Sequence, residues 1–220
     1  MPLSHPPGTI VVPSGTLARY GAFSRALTHV SIPEGSQVCW VEGINVAANL
    51  NRGFAQASGE WIWILADDHV FAPDTLLRLL EHDLPMVAPV CTLRSPPHWP
   101  IVYRSESDDG SFEVWPPEEL PMSGVHPVAA CAMAGMVIQR EALKALTPPY
   151  FEIGQIKSDE LGEDLYFFHK AAQVGVMPYL DCDTRIGHIT PMALWPTKRP
   201  DGGWGVWADP MCQIPTTAAV

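Results

Sequence analysis

Charge is what this chain has least of. Charged residues make up 17 % of its 220 positions, and only 13 are Lys or Arg against 24 Asp or Glu. The formal charge of -11 repels phosphate backbones, which disfavours sequence-blind binding of nucleic acid. No apolar run reaches the ~18 residues of a membrane span. The longest, Val128 to Ile138, is rich in Ala and Gly and reads as buried core. Met1 to Gly8 is polar and proline-rich, so no secretory segment is expected. Cysteine is sparse and scattered: Cys39, Cys91, Cys131, Cys182 and Cys212 form no Cys-x-x-Cys pair. An odd number does not suit a disulfide framework. The expectation is a reduced, cytoplasmic protein without structural zinc.

Apolar residues, proline and tryptophan are what the chain does have. Apolar residues are 47 % of it, enough for a sizeable core and too many for a disordered chain. The 23 prolines are roughly twice the usual share. They punctuate the sequence without repeating, which points to short elements joined by stiff turns. The 8 tryptophans are also many for this length.

The first half alternates strand and helix. Thr9–Pro13 is a short β-rich run. Thr16 can cap a helix that puts Leu17, Tyr20, Phe23, Leu27 and Val30 on one face. Gln37–Val41 reads as the second strand. Asn45 can cap a helix to about Ser58, with Val46, Leu50, Phe54 and Ala57 as its stripe and Gly59 ending it. Trp61–Leu65 is a third strand, apolar as expected when both faces are covered. Pro73 suits the first turn of a helix carrying Leu76, Leu77, Leu79 and Leu80, and Met86–Val90 is the fourth strand. This alternation predicts an α/β fold, a mostly parallel sheet with helices on both faces.

The second half is less regular. Ile101–Arg104 and Phe112–Trp115 read as a hairpin, and Val125–Cys131 and Met136–Gln139 as strands. Arg140–Leu146 and Leu161–Gln173 read as helices, the second with Leu161, Leu165, Phe168 and Ala172 on one face. Val176–Leu180 and Thr184–Ile186 are further strands. From Pro191 the composition predicts a loop holding Trp195, Trp204, Trp207 and Gly202-Gly203. The expected organisation is a single domain over 1–190, with a Trp/Gly/Pro-rich tail over 191–220 packed on or covering the site.

Two groups of residues carry chemistry. Asp67-Asp68-His69 follows the third strand, at the end where open α/β sheets bind ligands. Carboxylates beside an imidazole suit Mn²⁺ or Mg²⁺ that also holds a diphosphate, and the ion would offset pyrophosphate charge as a Lewis acid. The plain alternative is a polar turn. Gly162-Glu163-Asp164 opens a helix, where carboxylates complement the dipole in any case. On a helical wheel Asp164 edges the apolar stripe, whereas Glu163 points nearly opposite.

The order Asn51-Arg52-Gly53, Ala57-Ser58-Gly59, apolar strand, acidic cluster, then Pro73 with Leu76 resembles nucleotide-sugar glycosyltransferases of the GT-A (Rossmann-like) fold, family 2 in particular. The resemblance covers roughly Thr9 to Thr190. It implies metal-dependent transfer of a hexosyl or pentosyl group from a nucleotide-diphospho-sugar, UDP-sugar favoured, to an acceptor hydroxyl with inversion. The Asp-x-Asp of that fold falls on Ala66 and Asp68 in one register, and becomes Asp67 with His69 in the other. Glu163-Asp164 resembles a Glu-Asp motif in which the carboxylate deprotonates the acceptor, with Asp164 the first choice and Glu163 the second. His188 in Ile186-Gly187-His188 would complete the metal site. Donor contacts implied by the resemblance are Pro13 and Ser14 at the base, Glu42 near base or ribose, Asn51, Arg52 near the diphosphate, Asp67, and Gly135 under the sugar. Trp195, Trp204 and Trp207 would stack on sugar rings or form a lid; burial that pins the tail explains them equally well.

Three other readings stay open. The acceptor could be a hydroxymethylated DNA base, as for small GT-A proteins of phages, if Arg94, Arg104, Lys198 and Arg199 form a basic rim. A sugar-nucleotide nucleotidyltransferase is only partly echoed by Ser14-Gly15-Thr16-Leu17-Ala18-Arg19. A non-catalytic sugar-binding module would keep the fold without the chemistry. The sequence leaves the acceptor (small molecule, glycan or DNA base) and the oligomeric state open.

Overall fold

The computed structural model describes residues 5–15, 21–157, 159–190 and 192–209, with main chain only at 159, 192 and 209. β1 (Thr9–Ser14) is buried throughout. It leads to α1 (Gly21–His29), which buries Ala22, Phe23 and Ala26. The expected cap Thr16 and the face residues Leu17 and Tyr20 lie outside the described residues. β2 (Gln37–Glu42) is an edge strand, open to solvent over most of its length. α2 (Val46–Gln56) starts where Asn45 accepts the Ala48 N–H at 2.8 Å, the cap expected of that asparagine. Leu50 and Phe54 are buried on it, while Val46, expected in the same stripe, is 51 % exposed. β3 (Trp61–Ile64) is buried at all four positions.

A short strand not expected from the sequence follows. β4 (His69–Phe71) takes in the histidine of the acidic cluster. α3 (Thr75–Leu80) buries Leu76, Leu79 and Leu80, and β5 (Met86–Val90) is buried throughout. β6 (Val102–Glu106) and β7 (Phe112–Val114) form the expected hairpin. The stretch from Val125 splits into β8 (Val125–Pro127) and β9 (Ala130–Cys131), and β10 (Val137–Gln139) runs into α4 (Arg140–Leu143). β11 (Gly154–Ile156) and β12 (Asp159–Leu161) make a two-stranded ribbon. Leu161 therefore belongs to a strand, and α5 (Glu163–Gln173) begins after it. The buried face of α5 is Phe167, Phe168 and Ala171, one position off the expected stripe.

The last three strands correct the reading further. Val176–Leu180 and Thr184–Ile186 merge into β13 (Pro178–Thr190), whose pairing shifts register between Asp181 and Arg185. Asp181 fastens that irregularity: its carboxylate accepts the Thr184 hydroxyl at 2.6 Å and the Asp183 N–H at 2.8 Å. The region expected to be a loop forms β14 (Met192–Lys198) and β15 (Trp204–Asp209), an antiparallel pair turning at Gly202-Gly203. Its composition misleads because Trp195 and Trp204 are buried and pack as strand residues.

The main sheet runs β15-β14-β13-β5-β10-β3-β1-β2, with β4 and β8 paired to β13. β1 is parallel to β2 and β3, and β5 is parallel to β13; β10 runs against its neighbours. Alternate strand residues feed two buried clusters, as the period of two requires. Ile10, Val12, Trp61 and Trp63 pack with Phe23 of α1 and Leu76 and Leu79 of α3. Val11, Ile62 and Ile64 pack with Leu50 and Phe54 of α2 and Phe167 and Phe168 of α5. The helices are few and short, so cover by helices on both faces is incomplete; residues of β6 and β9 fill part of the second cluster. Gly53 lets α2 close on β1: a Cβ there would lie 2.3 Å from Val11 Cγ1.

Candidate active site

β1, β2 and β3 end side by side, and their carboxyl ends open onto a cavity of about 380 Å³. Ser14, Gly43, Asn49, Asp68 and Arg94 supply its polar lining, and Ile44 and Val46 an apolar side. This is the end of a parallel sheet where ligands bind, because main-chain groups there lack strand partners. The Ser14 hydroxyl donates to Asp67 Oδ2 at 2.6 Å, which ties the end of β1 to the turn after β3. Asn49 donates to the Ser14 carbonyl at 3.2 Å and the Gly43 carbonyl at 2.9 Å, holding the cavity floor.

Asp68 is the centre of charge. Its Oδ1 lies 2.9 Å from His69 Nδ1, and its Oδ2 lies 3.2 Å from Arg94 Nη1 and 3.6 Å from His188 Nε2. The pairing of β4 with β13 sets His69 opposite His188, and the two rings stack with centroids 4.4 Å apart. Burial alone would raise the Asp68 pKa, but the bonds from His188 and His69 outweigh it and hold the carboxyl well below the usual range. Burial lowers the His69 pKa, only partly offset by Asp68, so this imidazole is neutral near pH 7. The Cys91 thiol lies 3.5 Å from His69 Nε2. Burial, then the Asp68 charge, pushes it up to about 12.

A divalent cation is what the resemblance implies for this corner, and the donor chemistry can be tested against it. Asp68, His69 and His188 lie together. Mg²⁺ demands oxygen ligands and fits this nitrogen-rich set poorly; an ion that accepts imidazole fits it.

Asp164 is held in the first turn of α5, where the helix dipole favours its charged form. Burial prevails and raises its pKa to about 7, with the charge of Glu163 adding to the shift. Its charge also reaches Tyr103 and Cys131. Burial, then the charges of Asp164 and Cys91, raises the Cys131 pKa.

Other expected residues are placed differently. Pro13 and Ser14 line the cavity; Glu42 and Asn51 are not among its lining residues. Asn51 instead accepts from the Tyr150 and Phe151 N–H groups at 2.9 and 3.1 Å and donates to the Phe151 carbonyl at 2.6 Å. Arg52 donates to the Glu42 carbonyl and to Asn49 Oδ1, behind the lining. Gly135 accepts the Trp63 indole N–H at 2.9 Å, and a Cβ on it would strike Pro89 and Ile186. Close packing accounts for it. Trp195 lies against Gly187; Trp204 donates toward the Pro121 carbonyl; Trp207 is 47 % exposed.

Of the four cations expected to form a rim, Arg94 alone lines the cavity. Arg104 pairs with Glu113 and Glu119, Lys198 with Asp183 and Arg199 with Asp201. Sequence reasoning missed Asn49 and gave Cys91 no role. Cys91 directly follows the fourth strand, and that position was the available signal.

Residues 39–118 match the family model described as Glycosyl transferase family 2. The crystal structure of A197 from STIV has a similar fold, with TM-score 0.56 at 15 % sequence identity over 94 % of this chain and 96 % of that one. No curated protein matches the chain. The matched segment runs from within β2 to just past β7, and the architecture shared with that structure is a resemblance in fold to GT-A glycosyltransferases. No helix among the described residues is long and apolar enough to cross a membrane.

Proposed function

We propose that the chain transfers a sugar from a nucleotide-diphospho-sugar, a UDP-sugar by preference, to an acceptor hydroxyl with inversion. The observation that carries this is the cavity at the carboxyl ends of three parallel strands, with Arg94 and Asp68 on its wall. Ile44 and Val46 offer the nucleobase an apolar side. Arg94 offers the diphosphate a guanidinium, which suits phosphate oxygens better than an ammonium does. A divalent ion held by Asp68, His69 and His188 would supply Lewis-acid stabilisation of the leaving pyrophosphate; Mn²⁺ suits these donors better than Mg²⁺.

Asp164 is the general base in this reading. It removes the acceptor proton as the acceptor oxygen bonds to the anomeric carbon, and the nucleoside diphosphate leaves with the electrons of the broken C–O bond. A carboxylate that titrates at about 7 is matched to that task. Glu163 then acts through its charge on Asp164. The favoured acceptor is a small molecule or glycan, because Arg104, Lys198 and Arg199 are already neutralised by carboxylates. The C-terminal segment would cover the site, with exposed Trp207 free to stack. A cytoplasmic location is part of the same reading.

The test is a panel of sugar nucleotides and nucleoside diphosphates, scored for binding and for sugar transfer or hydrolysis. At least one nucleoside diphosphate should bind, and Arg94→Ala should weaken it. Failure of every donor to bind or turn over, with and without Mn²⁺, overturns the proposal.

A further inference from the structure

β2 ends the main sheet, and among the described residues no strand pairs with its outer edge. Its parallel register with β1 turns the main-chain groups of Gln37, Cys39 and Val41 inward and those of Val38, Trp40 and Glu42 outward. Two contacts agree: the Gln37 N–H donates inward to the Gly8 carbonyl at 3.0 Å, and the Arg52 guanidinium reaches the outward Glu42 carbonyl. The N–H and C=O groups of Val38 and Trp40 have no such partner among the described residues. Sheet edges are usually blunted by lysine, proline or a bulge. β2 reads Gln37-Val38-Cys39-Trp40-Val41-Glu42 in unbroken register and has none of these. Of the twelve exposed large apolar residues among those described, five lie on this strand or near its ends: Ile32, Val38, Trp40, Ile44 and Val46. Apolar exposure gathered in this way marks a surface that meets a partner.

We propose that β2 pairs antiparallel with β2 of a second copy of this chain, about a two-fold axis at Cys39. Such an axis closes the edge on itself and leaves no open ladder. It sets Val38 opposite Trp40 of the second copy, once on each side. The open groups of these two residues then make four main-chain hydrogen bonds and leave none over. An axis at Trp40 would instead set Val38 against Glu42, whose carbonyl Arg52 already holds. The side chains agree with the first register. Val38 and Trp40 form a cross-strand pair of a β-branched and an aromatic residue, twice over. Glu42, the one charge in β2, falls opposite Ser36 of the second copy and meets no like charge. The same register, continued past the strand, brings Ile32 of the second copy toward Val46. Phe23 of α1 meets Trp40, and Gly53 of α2 lies against Val41, so a helix flanks the strand on each face. An edge ~20 Å long with a helix ~10 Å wide on either side presents about 600 Å² per copy. Two copies bury about 1,200 Å², the lower limit of a stable interface, which predicts dissociation in about the micromolar range. The surface stands on the strand edge and does not depend on what the donor cavity binds.

The experiment is sedimentation velocity on the full chain from about 1 to 100 µM, where a monomer–dimer equilibrium is expected. Diamide, which takes up the hydrogens of two thiols as their sulfur–sulfur bond forms, reads the register. Cys39 meets its own copy at a non-hydrogen-bonded pair, where Cα atoms stand ~4.5 Å apart and within disulfide reach. The linked dimer should appear on a non-reducing gel. Cys39→Ser should lose the link and stay dimeric. Val38→Lys should raise the dissociation constant about tenfold or more, with its fold checked by thermal melting. The link is read on the parent chain and decides even where Val38→Lys lowers stability. A parent that stays monomeric at about 100 µM overturns the proposal. A dimer that a folded Val38→Lys leaves intact, or that diamide cannot link through Cys39, overturns it as well.

Discussion

Asp164→Asn separates a catalytic carboxylate from a helix-start carboxylate, because the two roles predict opposite signs for stability and activity. The parent group titrates at about 7 against an ordinary 3.8. Between roughly pH 4 and 7 the folded chain holds a proton that the unfolded chain has released, so stability falls as pH rises through that window. About three units at 1.36 kcal/mol each give ~4 kcal/mol. Solvent screening of this partly buried side chain reduces the figure to on the order of 2 kcal/mol. Asparagine carries no charge, so Asp164→Asn should be more stable than the parent at pH 8, and the gap should close toward pH 4. Activity should move the other way, with a loss of about 10²- to 10⁴-fold in sugar transfer. The parent kcat/KM should rise about tenfold between pH 6 and 8 as the base ionises. Thermal melts across pH and a pH–rate profile read both quantities. A variant less stable than the parent at pH 8 and active within tenfold of it would place Asp164 in dipole capping and refute the base assignment.

Three further outcomes follow from the contacts. Asn51→Ala removes three bonds to residues 150 and 151 and should cost about 1–3 kcal/mol in denaturant melts while leaving nucleotide affinity unchanged. Lost nucleotide affinity at unchanged stability would return Asn51 to the donor site. Gly53→Ala should destabilise by about 1–3 kcal/mol despite the better helix propensity of alanine, because its Cβ would meet Val11. An unchanged melting temperature would contradict the close approach of α2 to β1. Arg94→Ala should weaken nucleoside diphosphate binding by about 10- to 100-fold with little change in melting, since the side chain is 44 % exposed and its bond to phosphate is charge-assisted. Calorimetry with the diphosphate and with the bare nucleoside distinguishes this from general damage, because only the diphosphate should lose affinity.

What the sequence displayed was local periodicity and local capping. Asn45 caps α2 as its position implies, and Trp61–Ile64 is the buried strand its composition implies. The acidic cluster sits at the expected sheet end because that end follows from strand order alone. Pairings over long separations were not displayed. β4 hides inside Asp-Asp-His, which reads as a turn until β13 supplies its partner strand. The tail reads as loop because Gly, Pro and Trp break local patterns, yet Trp195 and Trp204 find burial against Gly187 and the Pro117–Pro121 stretch. Asn51 lies in a motif that suggests phosphate, and its side chain is spent on residues 99 and 100 positions away.

The same distinction holds for the corner around Asp68. His188 bonds to the Thr92 carbonyl across 96 residues, a separation with no periodicity to betray it. What sets His188 beside His69 is the topology: β5 ends beside β13, and β4 pairs with β13 just where β13 has left β5 after its irregularity at Asp181–Arg185. An unbroken β13 would have carried His188 along β5 and away from His69. The register shift that Asp181 and Thr184 fasten is therefore a condition for the stacked pair. Thr184→Val, which removes the hydroxyl from that fastening, should cost about 1–3 kcal/mol in denaturant melts, and an unchanged melt would show that the hydroxyl does not fasten the shift.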